Sequence, residues 1–420
     1  MKVISLLVLA ALIAGIIVGA LVRAEAPQLT QAAAIVEAFG GLWLNALRMT
    51  VVPLVVALLV TGIASVADAA KAGGLVARAM LLFSVLILCA AVFGILVTEG
   101  LLSLWPVPRE VAEAFIASVG ANAIEITEPP SFVAWLQGLA PANPVSAAAN
   151  DQILQLVVFS IFFGFATTRL PAHMRGQIVG FFRAVAEAMI IVVRWVLLAG
   201  PLGVFALALG VGLRAGFGAA GTLVQYVIIV SAATLGITLV AWLIAVTWGR
   251  QPIARFTAAA APVWAIAAST QSSLASLPAM LEASLQGLKI PAHVADVVLP
   301  LAVAVFRFTS PVANLAVCFF VAHLYGVEPT MVQIIGAIVV AFGVSVGSVG
   351  LPGQISFVAS IAPILMALGI PFELLGILLA VEVIPDIFRT LGNVTGDLAV
   401  TSVLARDEPR EETRTEVSEA

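Results

Sequence analysis

A bilayer-spanning helix needs roughly 20 mostly apolar residues, and this chain supplies such runs one after another. They cover 3–22, 42–66, 79–104, 188–213 and 223–247, with a shorter one at 153–166. Hydrophobic residues make up 62% of the chain and charged residues only 10%, too few to cover a water-facing surface of this size. An all-α integral membrane protein follows. The first run is long for a secretion signal, lacks a small-x-small cleavage site and is followed by further spans, so it reads as the first helix. Cys89 and Cys318 fall inside apolar runs and read as inert buried thiols.

Charge placement predicts orientation. With a cytoplasmic N-terminus, the inner loops hold Lys2, Lys71, Arg78, Arg169, Arg175, Arg183, Arg250 and Arg255, and the tail holds Arg406, Arg410 and Arg414. The outer loops hold only Arg23, Arg109 and Arg214. This asymmetry predicts both termini in the cytoplasm. Segment 106–150, with Glu110, Glu113, Glu125 and Glu128, then falls outside, and the charged tail after Ala405 reads as disordered.

From about residue 256 the texture changes. Two apolar segments are interrupted by polar, helix-breaking clusters, at 269–278 (STQSSLASLP) and 345–353 (SVGSVGLPG). Each flanking arm is too short to span comfortably alone. Helices kinked at Pro278 and Pro352 would explain the prolines but not the clustered Ser and Gly. Non-helical backbone survives in lipid only where it is buried in protein or lines a cavity, and paired interruptions of this kind point to a solute site between two re-entrant hairpins.

The last apolar helix carries the densest chemistry: Glu382, Asp386, Arg389, Thr390, Asn393 and Asp397. At 3.6 residues per turn these share one face, opposite Ile384, Ile387, Leu391 and Val394. Ionisable groups at membrane depth cost several kcal/mol and mark a substrate or ion path. Arg389 offers a planar fork for a carboxylate, Asp386 a partner for an ammonium, and Asn393 both a donor and an acceptor. Thr390 adds a hydroxyl, and Asp397 suits a cation or a proton. The competing reading is an internal Asp386–Arg389 salt bridge that merely neutralises two charges.

With those residues in view, the chain resembles the dicarboxylate/amino acid:cation symporters, the glutamate transporter homologues. The similarity runs through 47–54 (LRMTVVPL), 141–145 (PANPV), 200–205 (GPLGVF), both interruptions, and above all 386–397 (DIFRTLGNVTGD). The resemblance implies eight transmembrane helices plus two re-entrant helical hairpins, built as inverted repeats, in a homotrimer working as an elevator-type transporter in the cell (inner) membrane. Scaffold helices 1–2 would occupy 1–73, helix 3 of the moving domain 74–105, and the outer loop with scaffold helices 4–5 106–215. Helices 6–8 and both hairpins would occupy 216–404, before the tail at 405–420. Asp386, Arg389 and Asn393 would bind the amino group, side-chain carboxylate and α-carboxylate of an acidic amino acid. Thr390, Ser272, Ser273, Ser310, Gly350 and Gly353 complete the implied substrate set, and hairpin 345–353 would act as a gate. Ser345, Ser348, Glu382, Asn393, Asp397 and Arg307 form the implied coupling set.

One departure stands out. Where sodium-coupled members carry Asn-Met-Asp-Gly-Thr, this chain reads Phe306-Arg307-Phe308-Thr309-Ser310, and the helix-3 ligands fall on Phe83, Leu86 and Ile87. Phenylalanine offers no oxygen to a hard cation, so no metal site is expected. Arg307 would stand in for the cation, facing Asp397, leaving H+ rather than Na+ coupling, or exchange. The competing reading is that Arg307 pairs structurally with an acid while the carbonyls of 345–353 still serve coupling, and a second buried arginine also fits a C4-dicarboxylate or other organic-anion symporter using sodium, with Arg307 occupying Asp386. No cofactor or nucleic-acid partner is expected; a small anionic solute and membrane lipids are. His173, His293 and His323 lie near helix ends at no metal-ligand spacing. An intramembrane enzyme would need a nucleophile–base pair or metal ligands, and neither a His-Glu-x-x-His nor a Gly-x-Ser-x-Gly pattern occurs. A channel would favour a repeated ring of carbonyls or charges.

Overall fold

In hydrocarbon every backbone N–H and C=O must be paired within the chain, and this chain meets the demand with helices. A computed structural model describes residues 2–70, 74–118, 136–215, 218–347 and 353–406, and every regular element among them is helical. Lys71, Glu125, Glu128, Ser348, Gly350, Pro352 and the tail from 407, with its expected disorder, lie outside the described residues.

The first group of helices is α1 (Lys2–Glu25), α2 (Thr30–Arg48), α3 (Val51–Ala70), α4 (Gly74–Leu104), α5 (Arg109–Ser118), α6 (Pro144–Ala149), α7 (Ile153–Thr168), α8 (Ala172–Leu198), α9 (Gly200–Ala215) and α10 (Gly218–Thr247). The second is α11 (Ile253–Thr270), α12 (Ser273–Glu282), α13 (Ala292–Val305), α14 (Ser310–Tyr325), α15 (Met331–Gly347), α16 (Gly353–Leu368), α17 (Leu375–Val381) and α18 (Val383–Ala405). Among the described residues, five spans are long and apolar enough to cross a membrane: Leu6–Glu25, Gln31–Ser65, Gly74–Leu104, Ala220–Thr247 and Ala292–Tyr325. Helices α8 and α9 form a sixth, bent by 58°.

That bend corrects the expected continuous span at 188–213. Pro201 has no N–H to give to the Leu197 carbonyl and its ring crowds that turn, so α8 ends at Leu198 and the chain restarts at Gly200. The last span is also interrupted. Pro385 stops α17 at Val381, placing Glu382 at the junction rather than inside one continuous helix. A second correction concerns Cys89. It is exposed on α4, inside a membrane span, whereas Cys318 is buried.

Packing falls into two groups. Helix α1 runs along α9, with α2 against α9 and α3 against α7 and α8. The α1–α9 contact is close enough that a Cβ on Gly19 would collide with the Leu209 carbonyl oxygen, and one on Gly212 with that of Ile16. Small residues let helix backbones approach in this way. The other group surrounds α18, which packs on α10, α11 and α13, while α4 packs on α14.

The described helical arms flanking each interruption pack against each other. Arg255 Nε donates to Gly287 O at 2.7 Å, so the far end of the α12 arm lies beside the start of α11. A π-helical turn at Ala283–Gly287 ends that arm. Its tip turns on Gln271 in the left-handed region (φ 54°), with Ser272 capping α12. In the second hairpin Gln333 Nε2 donates to Leu368 O at 2.9 Å, which sets the start of α15 against the end of α16.

Candidate functional site

Glu382, at the α17–α18 break, is the pivot of the polar cluster. Its Oε1 lies 2.6 Å from Arg389 Nη2, and both side chains are 2% exposed. Its Oε2 accepts a hydrogen bond from Tyr226 of α10 at 3.0 Å. The ion pair anticipated for Arg389 therefore exists, but with Glu382 and not with Asp386. The contact is an ion pair without hydrogen-bond alignment, since neither Glu382 Oε1 nor Arg389 Nη2 or Nε makes a hydrogen bond among the described residues. Asp386 is half-buried and shares the electrostatic field of Arg389 and Arg307.

One turn on, Asn393 is fixed from outside its helix. Its Oδ1 accepts from Thr309 N at 3.0 Å and from Thr309 Oγ1 at 2.9 Å, and that hydroxyl also lies 2.8 Å from Arg389 O. This leaves the Nδ2 amide, a donor, as the part of Asn393 available to a ligand. Gly392 permits the approach, since a Cβ there would collide with Thr309 and Thr238. Thr390 is less available than its spacing suggested, because its hydroxyl back-bonds to Asp386 O at 2.9 Å. Such back-bonding is the usual fate of a mid-helix threonine.

The break between α13 and α14 brings Phe306, Arg307, Phe308 and Thr309 against this face. Phe83 of α4 stacks on Phe306 at 4.7 Å between ring centroids, and Phe306 stacks on Phe308 at 5.3 Å. All three rings are at most 2% exposed. Leu86 and Ile87 are buried on the same helix as Phe83. Residues from two distant segments thus fill one volume with aromatic carbon. Beside it, Gly396 sits against the Phe308 and Phe306 rings. Asp397 is 1% exposed, neither carboxylate oxygen has a hydrogen-bond partner among the described residues, and Arg307 is its electrostatic counterpart.

The hairpin residues divide. Ser272 Oγ caps α12 by accepting from Ala275 N at 3.2 Å, Ser273 opens that helix, and Gln271 Nε2 donates to Val383 O at 3.0 Å, which docks the tip at the start of α18. Ser310 begins α14, fully buried, and its hydroxyl has no hydrogen-bond partner among the described residues. Ser345 turns its hydroxyl back to Ala341 O at 2.6 Å. Gly353 begins α16.

Three participants escaped the sequence reading. Tyr226 is one of two tyrosines in the chain. A lone phenol in a long apolar helix is a signal, since a buried hydroxyl needs a partner. Thr309 was visible only as the neighbour of two phenylalanines. Asn314, fully buried on α14, has neither amide atom hydrogen-bonded among the described residues.

The sodium:dicarboxylate symporter family profile matches residues 4–407. The proton/glutamate-aspartate symporter of Escherichia coli (strain K12) is 29% identical over 373 residues, covering 87% of this chain and 84% of its own length. The proton/sodium-glutamate symport protein of Bacillus caldotenax is 27% identical over 401 residues, 94% and 92% respectively. The neutral amino acid transporter B(0) of Homo sapiens is 30% identical over 453 residues, 97% and 81%.

Proposed function

The chain belongs to the sodium:dicarboxylate symporter family, and from that premise we propose that it carries an acidic amino acid without using sodium. It is a multi-pass membrane protein and a cation-coupled symporter of amino acids or dicarboxylates, not an enzyme. The finer reading rests on α18. Arg389 takes the side-chain carboxylate, Asn393 Nδ2 takes the α-carboxylate, and Asp386 takes the ammonium. The observation that carries it is the single polar face bearing Arg389 and Asn393, with Thr309 holding Asn393 so that a donor points away.

The sodium-independence rests on the Phe83–Phe306–Phe308 stack. Sodium is a hard cation that needs several oxygen ligands, and the stack is carbon at the place where oxygens are required. Arg307 supplies a tethered positive charge near Asp397. The related proteins named above include proton-coupled and proton/sodium-coupled symporters, so the reading of this chain's coupling rests on its own residues.

The packing of α1–α3 with α7–α9, and of α4 and α10–α18 around α18, is consistent with a scaffold and a moving body; the elevator motion, homotrimer, eight membrane passes and two hairpins are carried over from the family, and both termini in the cytoplasm from the charge asymmetry. Hairpin α15–α16 rests on α3 and α7, while α11–α12 packs on α10, α13 and α18.

A dicarboxylate is the second reading. It is favoured by Arg307 lying in the field of Asp386, where an internal cation would replace a substrate ammonium. Uptake of labelled aspartate, glutamate and succinate into proteoliposomes, under imposed proton or sodium gradients, tests both readings. Proton-driven aspartate uptake lost in Arg389→Ala supports the first. Succinate uptake in preference to aspartate supports the second, and a strict sodium requirement overturns the role given to the aromatic stack.

A further inference from the structure

We propose that the cavity behind α18 is a phospholipid site, taking one acyl chain between α10, α11 and α18 while the lipid's anionic headgroup rests on Arg250. The cavity is about 380 Å³, walled by Leu235, Leu239 and Trp242 of α10, Trp264 of α11, and Phe388 and Leu391 of α18. On α10 the lining recurs at i, i+4 and i+7, so the groove runs along the helix for about 10 Å at 1.5 Å per residue. That shape suits a linear chain. Leu235 and Leu239 are 45% and 56% exposed and belong to a span long enough to cross the bilayer, so the groove opens sideways, toward lipid.

The lining offers little to a polar ligand. Trp264 Nε1 donates to Thr395 Oγ1 at 2.9 Å, Trp242 Nε1 to Thr257 Oγ1 at 3.1 Å, and Thr238 Oγ1 to Thr234 O at 2.7 Å. Thr395 Oγ1 in turn donates to Leu391 O at 2.7 Å. These groups are matched inside the protein, and an amino acid or dicarboxylate entering here would lose its hydration without compensation. A hydrocarbon chain has no such loss. It restores the dispersion contacts that the lining of an empty apolar cavity forfeits.

The α10–α11 turn sets the headgroup end. The Trp242–Thr257 bond joins the two helices just inside that turn, and residues 248–256 carry two arginines and no carboxylate. Trp248, 42% exposed, marks the interfacial level. Arg250 is exposed at the turn itself. Arg255 follows in the first turn of α11, its Nε donating to Gly287 O, and exposed Lys289 comes two residues after that carbonyl. Along α10, Arg250 stands about 12 Å of rise from Trp242 and about 22 Å from Leu235. Half the hydrocarbon core is about 15 Å, so a lipid with its phosphate on Arg250 brings its chain to the depth of the groove. Cations at one end and a fitted apolar slot at chain depth match an anionic phospholipid. Phe388 and Leu391 lie on the reverse of the turn that carries Arg389 and Asn393, so the bound chain backs α18 where it packs on α10.

The test reads tryptophan fluorescence of the purified full chain in detergent, titrated with phosphatidylglycerol or phosphatidylcholine brominated on the acyl chain, which quenches an indole only at close contact. The difference between wild type and Trp264→Phe isolates the indole in the cavity from the rest of the chain's seven tryptophans. Its quenching should saturate, at a lower mole fraction of phosphatidylglycerol than of phosphatidylcholine. Arg250→Gln should raise the half-effective fraction of phosphatidylglycerol about fivefold, the worth of one basic residue at an anionic lipid surface, and that of phosphatidylcholine by less. Should Trp264→Phe not fold, Trp242→Phe gives the same subtraction from the α10 wall. Absent quenching of these indoles, or quenching that never saturates and is matched by a brominated detergent, overturns the site. Saturable quenching with equal affinity for the two lipids and no effect of Arg250→Gln overturns the headgroup assignment, and the proposal with it. None of these readouts depends on which solute the carrier moves or which ion drives it.

Discussion

Replacing Arg389 with alanine removes the counter-charge of Glu382 while leaving the carboxylate where it is. At 2.6 Å, with both side chains 2% exposed, their attraction is about 6 kcal/mol at an effective dielectric of about 20. Desolvation costs several kcal/mol per ion, so the intact pair contributes little net stability. Losing one partner is different. The remaining carboxylate stays buried and unpaired, at a cost of about 3–5 kcal/mol. Tyr226 still donates to it, which places the expected loss for Arg389→Ala near the lower end, about 3 kcal/mol. The double variant Arg389→Met/Glu382→Gln removes both charges at similar volume and should lie within about 1.5 kcal/mol of wild type. Unfolding in mixed micelles by a rising fraction of sodium dodecyl sulfate measures all the variants on one scale, with Glu382→Gln completing the cycle. Neither Arg389→Ala nor the double variant should transport, so stability and activity separate. If the double variant is as unstable as Arg389→Ala, or if the single effects add, the pair is not a coupled buried unit and the reasoning is wrong.

Three further outcomes are expected. Asn393→Asp keeps the oxygen that accepts from Thr309 but loses the Nδ2 donor and sets a buried carboxylate against the substrate's own, so substrate affinity should fall by more than about 100-fold, read as a KM change in the folded fraction. Phe306→Ala removes the middle ring of the stack and should cost about 3–5 kcal/mol in the same unfolding assay; a cost under 1 kcal/mol would mean the rings do not pack as a unit. Arg48→Ala loses a part-exposed ion pair with Asp151 and a contact over the Phe372 ring, together worth about 1–2 kcal/mol. Because Phe372 follows the second hairpin and Arg48 belongs to the α2–α3 span, this change should raise the exchange rate with little loss of folded protein.

Membrane residence and the polar face of α18 were legible in the sequence because both are local. Hydropathy is a sum over neighbours, and a helix of known pitch puts Asp386, Arg389, Asn393 and Asp397 on one side before any tertiary contact is known. The two interruptions were legible for a related reason, since polar Ser- and Gly-rich stretches stand out in apolar sequence; that Ser273–Pro278 is nonetheless helical, and that the arms are tied by Arg255–Gly287 and Gln333–Leu368, was not. The aromatic replacement was visible as composition, Phe83 on one segment and Phe306 and Phe308 on another. That these rings touch is a fact of the fold.

Partner choice was not legible. Asp386 is nearer to Arg389 in sequence, yet Glu382 holds it, because Pro385 breaks the helix and Tyr226 from α10 fixes the carboxylate at the junction. Thr309 secures Asn393 across 84 positions of chain. Periodicity reports which side of a helix a residue occupies. It carries no information about which group on another helix reaches it, and for buried charges that meeting, through short-range Coulomb and hydrogen-bond terms, decides what each one does.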